Sequence, residues 1–252
     1  LVPVWNKSHR EHTSIGSKPA DTRQAADNAV EECGWEGSYY VDADHINRTT
    51  VDHFIESSDF FTIDVAEYIG MAPEQDAVER LVKRFSPYIG TLNLPDTDMD
   101  ITITEETIER CAGIYARAIE ESGGLYRTIA QRKGAESFVT EVSCDETEKP
   151  QNPAELFFIL GALAAENVPV QTIAPKFTGE FYKGIDYVGD IFRFEQEFEA
   201  DTAVVALAIK EFGLPENLKL SVHSGSDKFS LYPLINRCIK KRGCGLHLKT
   251  AG

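Results

Sequence analysis

Leu218-Lys-Leu-Ser-Val-His223-Ser-Gly-Ser-Asp-Lys228 and Gly245-Leu-His247-Leu-Lys249-Thr-Ala-Gly252 are the two runs that decide the fold. In each run a short apolar stretch delivers one histidine, and small residues and a lysine follow at once. Residues 228–241, between the runs, have a helix-like sequence. A strand, a helix and a second strand in this order are typical of a parallel sheet covered by helices. We therefore expect both histidines at the carboxyl ends of neighbouring strands.

The same alternation recurs upstream of these runs. Strand-like segments are predicted at residues 38–45, 60–65, 138–146 and 170–177, with helices at 19–30, 72–85, 153–167 and 190–212. Residues 87–135 interrupt the rhythm as an excursion, first a loop rich in Pro, Gly and Asp and then helical sequence that Gly123-Gly124 should divide. No GxGxxG or GxxxxGK[ST] motif occurs, which disfavours a nucleotide-binding open sheet. Six such steps predict an incomplete TIM-type (β/α)8 barrel.

Length and charge narrow the classes of protein. The 252 residues suffice for one domain, and we expect 1–252 to form a single, partial barrel catalytic domain. Because the chain begins with Leu1 and stops directly after a strand, we expect a fragment truncated at both ends. The net charge of -16 argues against nucleic acid. No apolar run is long enough to span a membrane.

The number and spacing of the cysteines indicate whether the protein belongs in a reducing or an oxidising cellular compartment. The five cysteines are widely spaced and include no CxxC pair. Free thiols in a reducing cytoplasm are the simplest interpretation, and no local feature marks Cys144 as a nucleophile. A cytoplasmic protein that acts on a small molecule, and that can form a homo-oligomer, fits this composition.

Each predicted strand ends in at least one ionisable residue, as expected where a barrel gathers its functional groups. His45, His223 and His247 could bind one divalent metal, because imidazole suits Zn, Ni, Co or Fe(II) and a carboxylate would extend the choice to Mn. Three protein ligands with an open position are typical of a catalytic site. The alternative is that each histidine is a hydrogen-bonded residue of the barrel rim.

Carboxylates and lysines complete the set of candidates. Asp44 and Glu141 could divide the roles of acid and base, or they could bind the metal or support a histidine. Lys176, Lys228 and Lys249 would provide local positive charge for a substrate carboxylate or phosphate. Ion pairs with rim carboxylates are an equally good explanation of these lysines.

Seven runs of the sequence resemble the tagaturonate epimerase family. The resemblance extends over nearly the whole chain from about Thr13, and proteins of that family are longer at both ends. The runs are Tyr40-Val-Asp-Ala-Asp-His-Ile46, Phe60-Phe-Thr-Ile-Asp64, Thr140-Glu-Val-Ser-Cys-Asp-Glu-Thr147, Thr172-Ile-Ala-Pro-Lys-Phe-Thr-Gly179, Ile185-Asp-Tyr-Val-Gly-Asp190, and the two runs quoted first, the earlier one extended to Phe229.

The resemblance implies a divalent-metal enzyme of hexuronate catabolism that interconverts D-tagaturonate and D-fructuronate by inversion at C4. It implies that Asp44 is the proton acceptor and Glu141 the donor, with Glu180 as the main rival to Glu141. It also implies that His45, His223 and His247 hold the metal, either Zn, Ni, Co or Mn. The lysines would hold the C6 carboxylate of the sugar acid.

Two mechanisms and three other functions stay open at this point. Inversion can proceed by retro-aldol cleavage of C3–C4 or through a 3-keto tautomer. A metal-dependent sugar isomerase or a class II-like aldolase would use the same groups. A catalytically inactive sugar-acid binding protein would retain the cleft without turnover.

Overall fold

The fold was analysed in a computed structural model, which describes residues 1–250. The final two residues of the second run quoted above lie outside the described residues. Nine strands occur in the described part of the chain: β1 Val4–Ser8, β2 Tyr40–Ile46, β3 Phe60–Asp64, β4 Gly90–Asn93, β5 Asp100–Ile103, β6 Val139–Ser143, β7 Thr172–Ala174, β8 Lys219–Val222 and β9 Leu246–Leu248.

The helices fall between the strands. Residues 1–250 contain seven α-helices: α1 His9–Ile15, α2 Pro19–Glu32, α3 Gln75–Phe85, α4 Glu105–Lys133, α5 Pro153–Ala165, α6 Ile191–Phe212 and α7 Tyr232–Arg242. Short 3₁₀ helices occupy Val51–His53, Ala66–Tyr68, Ser86–Tyr88 and Phe229–Leu231. No helix among the described residues is long and apolar enough to cross a membrane.

Seven strands form one parallel sheet in the order β1-β2-β3-β6-β7-β8-β9. Each strand pairs with the next in parallel register. At least one residue from every one of these strands lines a shared cavity of about 440 Å³, so the sheet curls around its own interior. This arrangement is an incomplete α/β barrel, and the predicted fold class is confirmed. The prediction of a single domain over 1–252 stays a prediction.

The excursion at residues 87–135 differs in detail from its prediction. β4 and β5 form an antiparallel hairpin where a loop was expected, and buried Ile101 and Ile103 attach it to the core. α4 continues without a break through Gly123 and Gly124. A Cβ atom on Gly124 would lie 2.5 Å from a guanidinium nitrogen of Arg48. The glycine therefore allows the close approach of Arg48, which pairs with the buried Glu121.

The outer layer packs its aromatic side chains against the sheet. α5 is apolar on all sides and has nine buried residues, as expected for a helix enclosed by other helices. The rings of Phe85 and Phe158 stack at 4.3 Å between centroids and join α3 to α5. The helices cover the outside of the sheet, and a cleft lies at the carboxyl ends of its strands.

Candidate active site

β2 ends in an irregular turn that presents Asp44 and His45. The register between β2 and β3 shifts between Ala43 and Ile46, and His45 has a φ of 51°. A side chain with positive φ is uncommon, and such strain and strand irregularities concentrate at functional sites because they redirect side chains. Ser224, directly after His223, also has a positive φ of 49°. One backbone distortion thus lies at His45 within β2, and another lies directly after His223, which follows β8.

A buried ammonium group lies beneath this surface. The Nζ atom of Lys249 donates to Asp44 Oδ1 at 2.6 Å and to Thr62 Oγ1 at 2.6 Å. It also lies 2.9 Å from Asp42 Oδ2 and 3.2 Å from Glu141 Oε1. Burial alone would lower the pKa of Lys249, but the three carboxylates raise it well above its usual value. The lysine is therefore a permanent internal cation.

Glu141 is completely buried and is the centre of the hydrogen-bond network. Its Oε1 contacts His223 Nε2 at 2.9 Å, and its Oε2 contacts His247 Nδ1 at 2.8 Å. Thr172 donates to Oε2 at 2.6 Å. Burial raises the pKa of Glu141, but Lys249 and the two histidines outweigh burial and hold the pKa well below its usual range. Glu141 is therefore a carboxylate in the folded protein.

Three side chains meet in a geometry suited to a metal ion. Within residues 1–250, His45, Asp145 and His223 each offer one ligand atom, and these atoms lie within 4.8 Å of one another. His223 Nδ1 is 2.8 Å from Asp145 Oδ2, and His45 Nε2 is 3.8 Å from Asp145 Oδ1. Two imidazoles and a carboxylate are a donor set that Zn, Ni, Co, Mn and Fe(II) accept.

In His45 and in His223, the ring nitrogen that does not face Asp145 contacts a second carboxylate. Asp44 Oδ1 lies 3.0 Å from His45 Nδ1, and Glu141 holds His223 through Nε2. Metal-binding histidines usually have such a partner, which fixes the ring and increases its basicity. Asp44 and Glu141 therefore lie where supporting carboxylates of the two histidines would lie, and their predicted acid–base roles stay predictions. The residues present fit a divalent metal.

Charge at this cluster is balanced by protons when no metal is bound. Burial lowers the pKa of His45, but Asp145 and Asp44 outweigh it and raise the pKa to about 11. Burial raises the pKa of Asp145, whereas His223 and His45 lower it below its usual range. Burial and the charge of Lys249 lower the pKa of His223, but Asp145 and Glu141 outweigh them and raise it, so the carboxylates favour protons on both imidazoles where no metal supplies the positive charge. Metal binding at this site should release protons.

The cluster opens onto a cleft of about 370 Å³ at the carboxyl end of the sheet. Its walls come from β1, β2 and β3 and the residues just after β1 and β2, from the segments after β6, β8 and β9, and from the segment between β7 and α6. The ionisable residues that line it are His9, Arg10, Glu11, Asp44, His45, Asp64, Asp145, Glu146, Lys183, His223 and Lys249. A cavity of this size accommodates a small sugar.

The predicted metal ligands are not all in one cluster. His45 and His223 meet, with ring centroids 5.1 Å apart. His247 lines the interior cavity of the barrel and contacts Glu141 and the ring of Phe60. It is not a member of the three-residue group described above. Its predicted role as third ligand stays a prediction.

The three predicted substrate lysines lie in different surroundings. Lys176 lines a smaller adjoining cavity of about 190 Å³ together with Asp145, His223 and Glu180. Lys249 is the internal cation described above. Lys228 is only 1 % exposed, and its Nζ donates to two backbone carbonyl groups. Their predicted substrate contacts stay predictions.

Sequence reasoning missed the threonines that flank Glu141. Thr62 on β3 and Thr172 on β7 are the register partners of Glu141 on its two sides. Both hydroxyl groups lie within hydrogen-bond distance of the carboxylate. The sequence did contain a signal for them, because each threonine is a polar residue within an otherwise apolar strand. Each is paired in register with Glu141. Arg10 and Lys183 were also missed, because neither lies at a strand end.

The chain is similar to proteins that are named tagaturonate or fructuronate epimerases. A family model described as tagaturonate epimerase (UxaE) matches residues 1–252. The tagaturonate/fructuronate epimerase of Thermotoga maritima is 30% identical over 264 residues, covering 100% of this chain and 52% of that protein. The native crystal structure of the fructuronate-tagaturonate epimerase UxaE from Cohnella laeviribosi has a TM-score of 0.79 and 29% identity, covering 97% of this chain and 50% of that chain.

A glycerol complex of the same Cohnella laeviribosi protein gives a TM-score of 0.77 at 30% identity, with the same coverage. The chain spans about half the length of the relatives it matches.

Proposed function

Because this chain belongs to the tagaturonate epimerase family, we propose that it carries the active site of a metal-dependent enzyme that interconverts D-tagaturonate and D-fructuronate by inversion at C4. The resemblance predicted from the sequence is confirmed. The observation that supports the chemistry is the pair of imidazoles, His45 and His223, that converge on Asp145, each backed by its own carboxylate. We place the enzyme in the cytoplasm and the metal among Zn, Ni, Co and Mn.

Inversion at C4 needs more than removal of a proton from carbon. C4 is β to the C2 ketone, so its hydrogen is not acidic. Cleavage of C3–C4, rotation of the aldehyde and re-addition to its opposite face provide a route. A bound divalent cation would supply Lewis acidity toward the oxygens of the substrate. His45 and His223 would hold it, with Asp145 or His247 as the third ligand.

The proton chemistry falls to the residues around Lys249. Asp44 lines the cleft and would accept the proton of the C4 hydroxyl group. Glu141 does not line the cleft, so a proton that it donates would have to reach the substrate through another group. Lys249 lines the cleft, donates to Asp44 at 2.6 Å and lies 3.2 Å from Glu141. We infer that Lys249 keeps its proton and that its charge holds Asp44 ionised as the acceptor.

Contacts within the cleft would keep the two fragments of a cleaved substrate close to each other. Re-addition must be faster than escape of the aldehyde, and fixed positions of both fragments raise their effective concentration. Pairing of the sugar carboxylate with a cation of the cleft would hold one fragment. The metal would hold the other.

Proton NMR of D-tagaturonate incubated with the full gene product tests this function. D-fructuronate should accumulate when Zn, Ni, Co or Mn is present and should stop forming when a chelator is added. Asp44→Asn should abolish turnover and retain binding of the sugar acid. Glu146→Gln makes the same change of charge at an exposed position that lines the same cleft, and should retain activity.

Other products would identify the alternative functions. An aldolase releases three-carbon fragments, and an isomerase yields an aldose. A binding protein holds the sugar acid without turnover and without a requirement for metal. Absence of D-fructuronate with all four metals would exclude the proposed reaction.

A further inference from the structure

Lys228 and Asp227 hold the segment between β7 and α6. The Nζ atom of Lys228 donates to the carbonyl groups of Tyr182 at 2.7 Å and of Ile185 at 2.9 Å, and it contacts Asp227. Asp227 Oδ2 accepts the N–H of Gly184 at 2.6 Å. The backbone on both sides of Lys183 is therefore fixed by charge-assisted hydrogen bonds, which are stronger than neutral ones.

A second set of hydrogen bonds joins the segment between β7 and α6 to the residues that follow Lys228. Asp186 Oδ1 accepts from Ser230 Oγ at 2.9 Å, and its carboxylate also accepts the Ser230 N–H at 3.2 Å. Residues 182–186 are thus fastened to residues 227–230, which follow His223 on the chain. This arrangement places the one side chain between the fastened peptide groups, that of Lys183, against the cleft.

Lys183 is a free cation in an acidic cleft. It is exposed and has no ion pair among the described residues, whereas Lys249 in the same cleft is paired with carboxylates. Five carboxylates line the cleft, those of Glu11, Asp44, Asp64, Asp145 and Glu146. An anionic substrate would be repelled from such a surface unless a free cation met its charge. Arg10 is the other unpaired cation of the described cleft.

We propose that Lys183 binds the carboxylate of the sugar-acid substrate and gives the enzyme its preference for sugar acids over neutral ketohexoses. This inference rests on the proposed function and names the residue that recognises the acid. Lys228 and Asp227 hold the peptide groups on both sides of Lys183, and Arg10 on α1 is the rival cation that the experiment below tests. A cation held in advance loses less conformational entropy when it binds an anion. Lys228 and Asp227 are positioning residues, since they act through the backbone of Lys183.

Kinetics with two sugars test the role of Lys183. D-tagatose differs from D-tagaturonate in having a CH2OH group where the acid has its carboxylate. Lys183→Met should lower kcat/KM for D-tagaturonate by roughly 10- to 100-fold, mainly through KM. The value for D-tagatose should not change. Lys183→Arg should recover much of the loss, and Lys240→Met, at an exposed position on α7, should behave as the wild type.

Equal losses for both sugars in Lys183→Met would overturn the proposal. So would an unchanged preference in Lys183→Met together with a lost preference in Arg10→Met. Lys228→Met should raise KM for D-tagaturonate and speed hydrogen exchange of the Gly184 amide, whereas Lys183→Met should leave that exchange unchanged. Faster exchange in Lys183→Met would show that its effect is structural, which also overturns the proposal.

A binding measurement separates this inference from the proposed function. If the wild type binds D-tagaturonate without converting it, the epimerase function fails while the role of Lys183 is still tested. Calorimetry should then show the same roughly 10- to 100-fold weaker binding in Lys183→Met. Equal affinities of the wild type and Lys183→Met would overturn the inference, whether or not the protein turns over.

Discussion

The Nζ atom of Lys249 lies 2.6 Å from Oδ1 of Asp44, across 205 positions of the chain. Lys249 follows β9 and Asp44 lies in β2, so this contact joins the last and second strands of the sheet across the interior. Asp42 and Glu141 face the same ammonium group at 2.9 and 3.2 Å. One buried cation therefore faces three acidic side chains that the sheet places close together, and burial raises the pKa of Asp42 in spite of that cation.

Lys249→Met should lower the free energy of unfolding by about 3–5 kcal/mol, because it leaves buried carboxylates without their counter-charge. Urea denaturation followed by circular dichroism measures the change. Lys240→Met serves as the control and should change stability by no more than about 0.5 kcal/mol. Adding Asp42→Asn to Lys249→Met should recover part of the loss. Equal midpoints for Lys249→Met and Lys240→Met would contradict the assignment of Lys249 as the main internal counter-charge.

The barrel could be predicted from sequence because its signals are local. Most strands of the sheet contain a short apolar run that is followed by a helix, so the order of elements follows directly from the chain. The hairpin β4–β5 gave no such signal. Its two strands have four residues each, and Pro95 and several aspartates lie between them, which is equally typical of a loop.

The site could be predicted only as a set of residue types. Strand ends identified Asp44, His45, Glu141 and His223, but the partner of each depends on register and on contacts distant in sequence. Lys228 and Lys249 have the same sequence signal, a lysine shortly after a histidine. One of them fastens a loop segment and the other neutralises carboxylates. The partners that a lysine side chain contacts depend on tertiary packing, and a local sequence pattern does not determine them.

Metal content of purified variants tests the candidate ligands. His45→Ala, His223→Ala and Asp145→Ala should each lose bound Zn or Ni after dialysis, because each removes a donor atom from the cluster. Glu141→Gln should retain the site with affinity lower by about 10- to 100-fold, since within the cluster it removes no donor atom and changes the support of His223. Inductively coupled plasma mass spectrometry gives the metal per chain.

His53→Ala is the matched control, since His53 is exposed, stacks on His9 and does not belong to the three-residue group. His247→Ala tests the remaining ligand predicted from the sequence. Full metal retention in His247→Ala would rule it out as the third ligand, and retention in Asp145→Ala would rule out the carboxylate.

Asp201 on α6 should make the protein less stable as the pH rises. Its side chain is buried, and its Oδ1 has no hydrogen-bond partner among the described residues. Burial, and then the charge of Glu197, raise the pKa of Asp201 well above its usual value. Above about pH 4 the unfolded chain releases this proton while the folded protein keeps it. Stability then falls by about 1.4 kcal/mol per pH unit until the folded group also ionises.

Asp201→Asn removes this titration and keeps the shape of the side chain. Below about pH 4 the free energy of unfolding of the variant should change with pH as that of the wild type does. Above that value the variant should become steadily more stable relative to the wild type. Urea denaturation at a series of pH values from 4 to about 8 measures the difference. Asp98→Asn, at an exposed position in the β4–β5 loop, should give a curve parallel to that of the wild type. A parallel curve for Asp201→Asn as well would mean that Asp201 is already ionised in the folded protein.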